Sequence, residues 1–258
     1  MLVIQRLLIL TSGLLILGAS IAAAQTTSIT FLPVRPQASR PAVSYVARGN
    51  GLVAKGDLDG AISDFTVAIA FDPYLAIAYC NRGRARQLKG DLDDAIVDYN
   101  RCIALDPHSA AAYSNRGNAL QAKGQIDAAL ADYDKAISLD RNIAEAYSNR
   151  GTIKRIRGDL DGALADYNRA IAIKPKFPMS YNNRGNAMLD QGSLKEAIAD
   201  FDRAIELNPR YAEAYANRGL AKLLQGEAVE AQKDFDHAIR LDGKLRASVE
   251  ERIKVVKK

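Results

Sequence analysis

One pentapeptide recurs at a fixed interval and limits what this chain can fold into. Tyr79-Cys80-Asn81-Arg82-Gly83 returns as Tyr113-Ser114-Asn115-Arg116-Gly117, Tyr147-Ser148-Asn149-Arg150-Gly151, Tyr181-Asn182-Asn183-Arg184-Gly185 and Tyr215-Ala216-Asn217-Arg218-Gly219, always at the same separation. Tyr45-Val46-Ala47-Arg48-Gly49 is an earlier copy with Ala in place of Asn. Six copies at one period, without insertion or deletion, describe a tandem array of one supersecondary unit. Each unit of an array contacts mainly its neighbours, so the expected core is a continuous stripe rather than a ball.

The units run 42–75, 76–109, 110–143, 144–177, 178–211 and 212–245. Each holds two predicted helices. In the third unit the first spans 112–123 and is stopped by Gly124. The second spans 126–139, with Ile126, Ala129, Leu130, Tyr133, Ala136, Ile137 and Leu139 at helical spacing. Asp57, Asp91, Asp159 and Ser193 suit the N-cap of the second helices, and Gln125 and Glu227 are weaker caps at the same place. Pro73, Pro107, Pro175 and Pro209 follow the second helices, where proline ends a helix. Twelve of the 18 glycines fall at two repeat positions.

The ends of the chain read differently. Residues 1–24 carry one basic residue, Arg6, an apolar run from Leu7 to Leu17, and small residues at Ala22 and Ala24. That is the layout of a secretory signal peptide cut after Ala24; the alternative is an uncleaved membrane anchor. Residues 25–41, with Pro33, Pro36 and Pro41, read as an extended tether. Residues 244–258 place Leu245, Val249, Ile253 and Val256 on one helical face, which predicts a helix covering the open side of the sixth unit.

Charge excludes one partner class. The net charge of +5 arises from the ends: residues 25–243 hold 28 basic and 28 acidic residues. A neutral array lacks the clustered basic stripe that phosphate binding needs, so nucleic acid is not an expected partner. Catalytic, cofactor and metal sites are not expected either. His108 and His237 have no nucleophile or metal-ligand partner at useful spacing. Asp57-Leu58-Asp59-Gly60 and Asp159-Leu160-Asp161-Gly162 resemble the start of a calcium loop but lack its remaining ligands, and helix caps explain them better.

The repeated residues resemble the tetratricopeptide repeat over about four-fifths of the chain. In the second unit the matching pattern is Tyr79, Gly83, Gly90, Ala95, Tyr99, Cys102 and Pro107; in the fifth it is Tyr181, Gly185, Gly192, Ala197, Phe201, Ala204 and Pro209. The departures are Tyr for the usual Trp, Arg for the usual Leu before the first Gly, and Cys102 for Ala. The resemblance implies an all-α, right-handed superhelical solenoid of antiparallel helix pairs, closed by the C-terminal helix, whose first helices line a concave groove.

A glycine inside a helix costs about 1 kcal/mol relative to Ala. Its recurrence implies close approach of the second helix, with Ala95, Ala129, Ala163 and Ala197 opposite and the aromatics Phe65, Tyr99, Tyr133, Tyr167, Phe201 and Phe235 beside the contact. Asp64, Asp98, Asp132, Asp166, Asp200 and Asp234 follow each unit's Arg at one constant spacing and are expected to pair with it across the helix pair. Cys80 and Cys102 reach a similar level in the second unit, which leaves two arrangements open, a disulfide or two separate thiols.

By the same resemblance Asn81, Asn115, Asn149, Asn183 and Asn217 point into the groove, with Val43, Ile77, Ala111, Glu145, Met179 and Glu213. So do Asn50, Arg84, Asn118, Thr152, Asn186 and Leu220. Each Asn offers a donor and an acceptor, and a row of them can bind the backbone of an extended peptide. The alternative is an Asn that is simply common at this position. Val43, Val46, Ala111, Ser114, Met179 and Asn182 stand where a carboxylate clamp would need bases, which argues against such a clamp. The expected function is an exported, periplasmic or secreted, non-enzymatic module that binds a protein or extended peptide segment, with no stable membrane insertion once the signal is cut. The alternative function is a structural subunit of a bacterial envelope assembly docked by its outer surface or end helix. N-terminal sequencing of exported protein should read from Gln25; a sequence still beginning at Met1 would establish the anchor instead.

Overall fold

A computed structural model of the chain describes residues 39–256, and the expectations for residues 1–24 and 25–38 lie outside them. Twelve helices pair off in chain order. They are α1 (Arg40–Ala54) with α2 (Leu58–Phe71), α3 (Ala76–Lys89) with α4 (Leu92–Leu105), and α5 (Ala110–Ala122) with α6 (Ile126–Leu139). Then follow α7 (Ala144–Ile156) with α8 (Leu160–Ile173), α9 (Pro178–Asp190) with α10 (Leu194–Leu207), and α11 (Ala212–Leu224) with α12 (Ala228–Leu241). A single 3-10 turn, Gly243–Leu245, leads into α13 (Arg246–Val256). The described residues contain no strand, and no helix among them is long and apolar enough to cross a membrane.

Each helix packs on the next. Successive first helices also touch one another, whereas successive second helices make no comparable contact. The first helices therefore form the inner layer of the array. Helix α1 begins earlier than the proline-rich composition of residues 25–41 suggested. Ser39 caps it, its Oγ accepting from the Ala42 N–H at 3.4 Å, and Pro41 sits in the first turn, where a fixed φ and a missing N–H do no harm.

The turns within the pairs are set by the second glycine of each unit. Gly56, Gly90, Gly124, Gly158, Gly192 and Gly226 adopt φ between 75° and 97°, where a side chain would be strained. In the third unit the Gly124 N–H donates to the Gln121 carbonyl and the Gln125 N–H to that of Leu120, both at 2.9 Å. These bonds satisfy carbonyls that the end of α5 would otherwise leave open.

The cap expectation is met in two of its four strongest cases. Asp57 accepts from the Gly60 N–H and Asp159 from the Gly162 N–H, each at 2.9 Å. Asp91 and Ser193 stand at N-caps without a side-chain bond to the helix. A Cβ at Gly60 or Gly162 would lie 2.4 or 2.2 Å from the capping carboxylate, whereas Asp94 and Glu196 occupy that place in α4 and α10. Glycine there makes room for the Asp cap, which explains the Asp-Leu-Asp-Gly motifs without a metal.

The glycine of the first helix faces the aromatic ring itself. A Cβ at Gly49, Gly83, Gly117, Gly151, Gly185 or Gly219 would come within 2.6–3.0 Å of Phe65, Tyr99, Tyr133, Tyr167, Phe201 or Phe235. The rings are thus more than fillers beside an Ala contact. They lie on the glycines, and all six are buried with Ala61, Ala95, Ala129, Ala163, Ala197 and Ala231. In the second unit Cys80 and Cys102 are joined in a disulfide linking α3 to α4, with their Cα atoms 5.4 Å apart. Both sulfurs sit in the core, at positions held by Ser114 and Ala136 one unit later.

At the far end, Val249 of α13 is buried and packs with Ala216, Ala231, Phe235 and Ala238, flanked by Leu245 and Ile253. This covers the sixth unit as expected. Val249 stands one full repeat period after Tyr215, and Arg252 one period after Arg218, so α13 keeps the register of a further first helix.

Gly117→Leu should lower stability by at least about 2–3 kcal/mol, the scale of overpacking, because the new Cβ meets the Tyr133 ring; a melt displaced by less than a degree or two would refute the contact. Ser180 gives the opposite expectation. Its Oγ is fully buried without a hydrogen-bond partner, in a register held by Ala78, Ala112, Ala146 and Ala214 in four other units and by an exposed Ser44 in the first. Ser180→Ala should therefore raise stability by about 1 kcal/mol in denaturant unfolding.

Candidate functional site

What holds the inner layer in place is an arginine joint repeated in every unit. The Arg48, Arg82, Arg116, Arg150, Arg184 and Arg218 side chains each grip their own unit's Asp through Nε and Nη2, at 2.5–2.9 Å. The six carboxylates are only 1–6 % exposed. A two-pronged guanidinium is the group that satisfies a buried carboxylate in this geometry. The hydrogen bond that Arg116 donates to Asp132 raises its guanidinium above the usual value, and Arg48 holds the Asp64 carboxyl below its own. Burial alone would push Asp234 up, but Arg218 and Lys222 together bring it down.

The same guanidiniums reach backwards. The free Nη1 of Arg82, Arg116, Arg150, Arg184 and Arg218 donates to Thr66, Asn100, Asp134, Asn168 and Asp202 on the preceding unit's second helix, at 2.6–3.1 Å. Each of the six also lies 4.8–5.8 Å from the ring centre of its own unit's leading Tyr, one helical turn earlier. One side chain thus ties its own helix pair together and ties the pair to its neighbour. The inner surface is a rigid sheet of first helices, suited to holding groups in fixed positions.

The Asn row lies on that surface, and most of its members bond to the helix before them. Asn81 donates to Asn50 Oδ1 at 2.8 Å, Asn149 to Asn118 Oδ1 at 2.7 Å, Asn183 to Ser148 Oγ at 3.3 Å and Asn217 to Asn182 Oδ1 at 3.0 Å. Asn217 is buried and also accepts from Arg252 at 2.9 Å. Its amide is occupied on both sides. Asn115 and Asn186 have no side-chain hydrogen bond among the described residues.

Hydroxyls from below complete the pattern, and sequence reasoning missed them. Tyr99, Tyr133 and Tyr167 are core rings whose OH groups emerge beneath the first helices. They meet Gln87 Oε1 at 2.7 Å, Asn118 Oδ1 and Gln121 Oε1 at 2.8 Å, and Thr152 Oγ1 at 3.1 Å. Burial raises all three phenols, which therefore stay protonated. The signal was the choice of Tyr over Phe at one register in units two to four. Asn118 Oδ1 faces both the Tyr133 OH and the Asn149 amide, which leaves the Asn118 Nδ2 to donate outward.

Two of the clefts on the inner layer of the described residues contain expected groove residues. One, of about 670 Å3, lies between α3, α5 and the start of α7 and is lined by Arg84, Leu88, Ser114, Asn115, Asn118 and Ile143. The other, of about 420 Å3, lies among α9, α11 and α13 and includes Asn182, Asn186, Glu213, Asn217, Leu220 and Arg252. Of the expected residues, the structure brings Asn115 and Asn118 into the first cleft and Asn186 and Asn217 into the second. Asn81, Asn149 and Asn183 line neither and act as rungs between helices.

Apolar side chains flank this polar floor. Val43, Ile77 and Met179 share a register near the start of the first helices and are 45–51 % exposed. Leu88, Ile156 and Leu224 share a second register, near the end of the first helices, and are 45–71 % exposed. The two registers, seen together as Ile77 and Leu88 in α3, are separated by about three helical turns, so both face the same way, about 16 Å apart along the helix.

Comparison with known proteins agrees with this architecture. A family model described as "TPR repeat" matches residues 83–124, 151–192 and 185–226, and one described as "Tetratricopeptide repeat" matches residues 110–143. The solved structure of MamA is 31% identical, covering 64% of this chain and 96% of that one, with a TM-score of 0.54. YrrB, described as "a TPR protein with an unusual peptide-binding site", is 23% identical over 73% of this chain and 97% of its own, with a TM-score of 0.56. PilW, described as a "widely conserved type IV pilus biogenesis factor", is 20% identical over 86% and 100%, with a TM-score of 0.67. The last two share the fold. No curated protein matches the chain in sequence. Matched over more than half its length by models of a single repeat, folded as consecutive helix pairs, the chain belongs to the tetratricopeptide repeat family, whose arrays are protein–protein interaction modules.

Proposed function

We propose that this chain is an exported, non-enzymatic module that holds an extended peptide segment on the inner face of its first helices. The observation that carries the reading is the cross-section of that face, an amide floor between two rims that are apolar in four and in five of the six units. Six of the ten large apolar side chains exposed among the described residues fall in the two rim registers. An extended peptide sends its side chains alternately to opposite sides while its N–H and C=O groups lie between them. Such a ligand sets its backbone on Asn115 and Asn118 and its side chains against the rims. The C-terminal part of the face suits it less, because Arg252 of α13 occupies the Asn217 amide. Export rests on the signal-like residues 1–24, and it suits the Cys80–Cys102 disulfide, since oxidised pairs persist outside reducing compartments. The even charge of the array speaks against nucleic acid as a ligand.

The test is a selection of random peptides of about nine residues, long enough when extended to cross three first helices at ~3.3 Å per residue. One neutral hydrogen bond nets about 0.5–1.5 kcal/mol, so Asn115→Ala should weaken a selected peptide several-fold. Joint replacement of Asn115 and Asn118 by Ala should weaken it on the order of tenfold or more if the contacts are roughly additive. Asn118 also accepts from Asn149 and the Tyr133 OH, so the double variant should melt a few degrees lower, and binding is measured well below that melt. Undiminished binding would place the ligand on the outer surface or end helix instead.

A further inference from the structure

Position 84 breaks the rule of its row. The equivalent residues of the other units are Asn50, Asn118, Thr152, Asn186 and Leu220, all uncharged. Arg84 is exposed at the edge of the 670 Å3 cleft and has no ion pair among the described residues. The neighbouring charges of the inner face are compensated. Arg155 is paired with Asp190 at 2.6 Å, and Glu145 on the far side of the cleft is paired with Lys174. The cleft therefore presents one uncompensated positive charge. Leu88, one turn along α3, is 57 % exposed beside it, and Ile143 supplies apolar surface on the α7 side.

We propose that this cleft selects an internal acidic side chain, Asp or Glu, within an extended peptide that carries Leu, Ile or Val within a few residues of it, with Arg84 as the specificity-determining residue. The inference rests on the groove reading above and adds the chemistry of its ligand. A chain terminus is the less suitable source of the carboxylate. A terminal carboxylate is best held by several converging cations, whereas here one guanidinium stands beside an apolar rim, the setting for one acidic side chain in a continuing peptide. The Asn115 amide and the outward Asn118 Nδ2 are placed to hold the backbone on either side. Since Arg84 is exposed and has no ion pair among the described residues, a carboxylate reaching it displaces no internal partner.

The experiment uses the full chain and the same random peptides, each flanked on both sides by Gly-Ser linkers so that no free terminus enters the variable region. Wild type, Arg84→Gln and Arg84→Glu are compared. The wild type should enrich Asp and Glu with a nearby Leu, Ile or Val; the bias should vanish on Arg84→Gln and reverse to Lys and Arg on Arg84→Glu. Replacing the acidic residue of the best peptide by its amide should weaken wild-type binding about three- to tenfold and leave the Arg84→Gln complex unchanged. Raising ionic strength from roughly 0.01 M to 1 M, which shortens the Debye length from ~30 to ~3 Å, should erase that difference. Unchanged melting curves for both variants show that the fold is intact. Wild-type peptides with no acidic bias, or a bias that survives Arg84→Gln, overturn the proposal while the Asn115→Ala result still upholds the groove. Peptides insensitive to the Asn replacements as well overturn the groove reading and this proposal with it.

Discussion

Every unit of this protein depends on a ring laid against a glycine. The six first-helix glycines leave room for an aromatic side chain at a distance no Cβ would tolerate. That contact sets how close the two helices of a pair can come. Once they are close, the small residues of the second helices become fully buried and the Arg and Asp of the pair come within hydrogen-bond reach. Helix propensity argues against glycine at this position by about 1 kcal/mol, and burial of the ring in a close-packed core outweighs it.

The arginine joint then turns a string of pairs into a continuous layer. A guanidinium has enough donors to serve a buried carboxylate with two and still reach the unit before it with a third. The ends show what the joint requires. Among the described residues Arg48 has no preceding unit and its side chain is 64 % exposed, while Arg252, with no second helix there to supply an Asp, turns onto Asn217. A further cation, Arg86, Lys154 or Lys222, joins the Asp in alternate units, where Leu52, Leu120 or Met188 stands in the others. The array is a two-fold alternation beneath its sequence period.

On that layer the functional face is a composite of three depths. The rims are apolar side chains of the first helices, the floor is amides of the same helices, and beneath the floor lie tyrosine hydroxyls from the second helices. The hydroxyls matter because they engage some amide oxygens from below and leave the nitrogens to face outward. A change of Tyr133 to Phe in the buried layer would thus alter the surface presented at Asn118.

Much of the architecture was legible in order along the chain. The period, the helix pairs, the glycine turns and the C-terminal cover follow from local spacing, because helix faces and turns are set by residues within a few positions of one another. The Arg–Asp pairing was legible too, since their constant spacing brings the two to one height in an antiparallel pair. What the sequence by itself determined, then, is the unit and its repetition. Only the tertiary structure decided which asparagines are free. Asn81 and Asn149 find partners on the preceding first helix at Asn50 and Asn118, and Asn183 and Asn217 find them one turn nearer its start, at Ser148 and Asn182, while at those two places Asn115 meets Arg84 and the disulfide-bonded Cys80 and finds none. Which of the two places is used, Asn182 rather than Asn186 for Asn217, is settled by side chains packed across neighbouring units, which no single register of the repeat encodes.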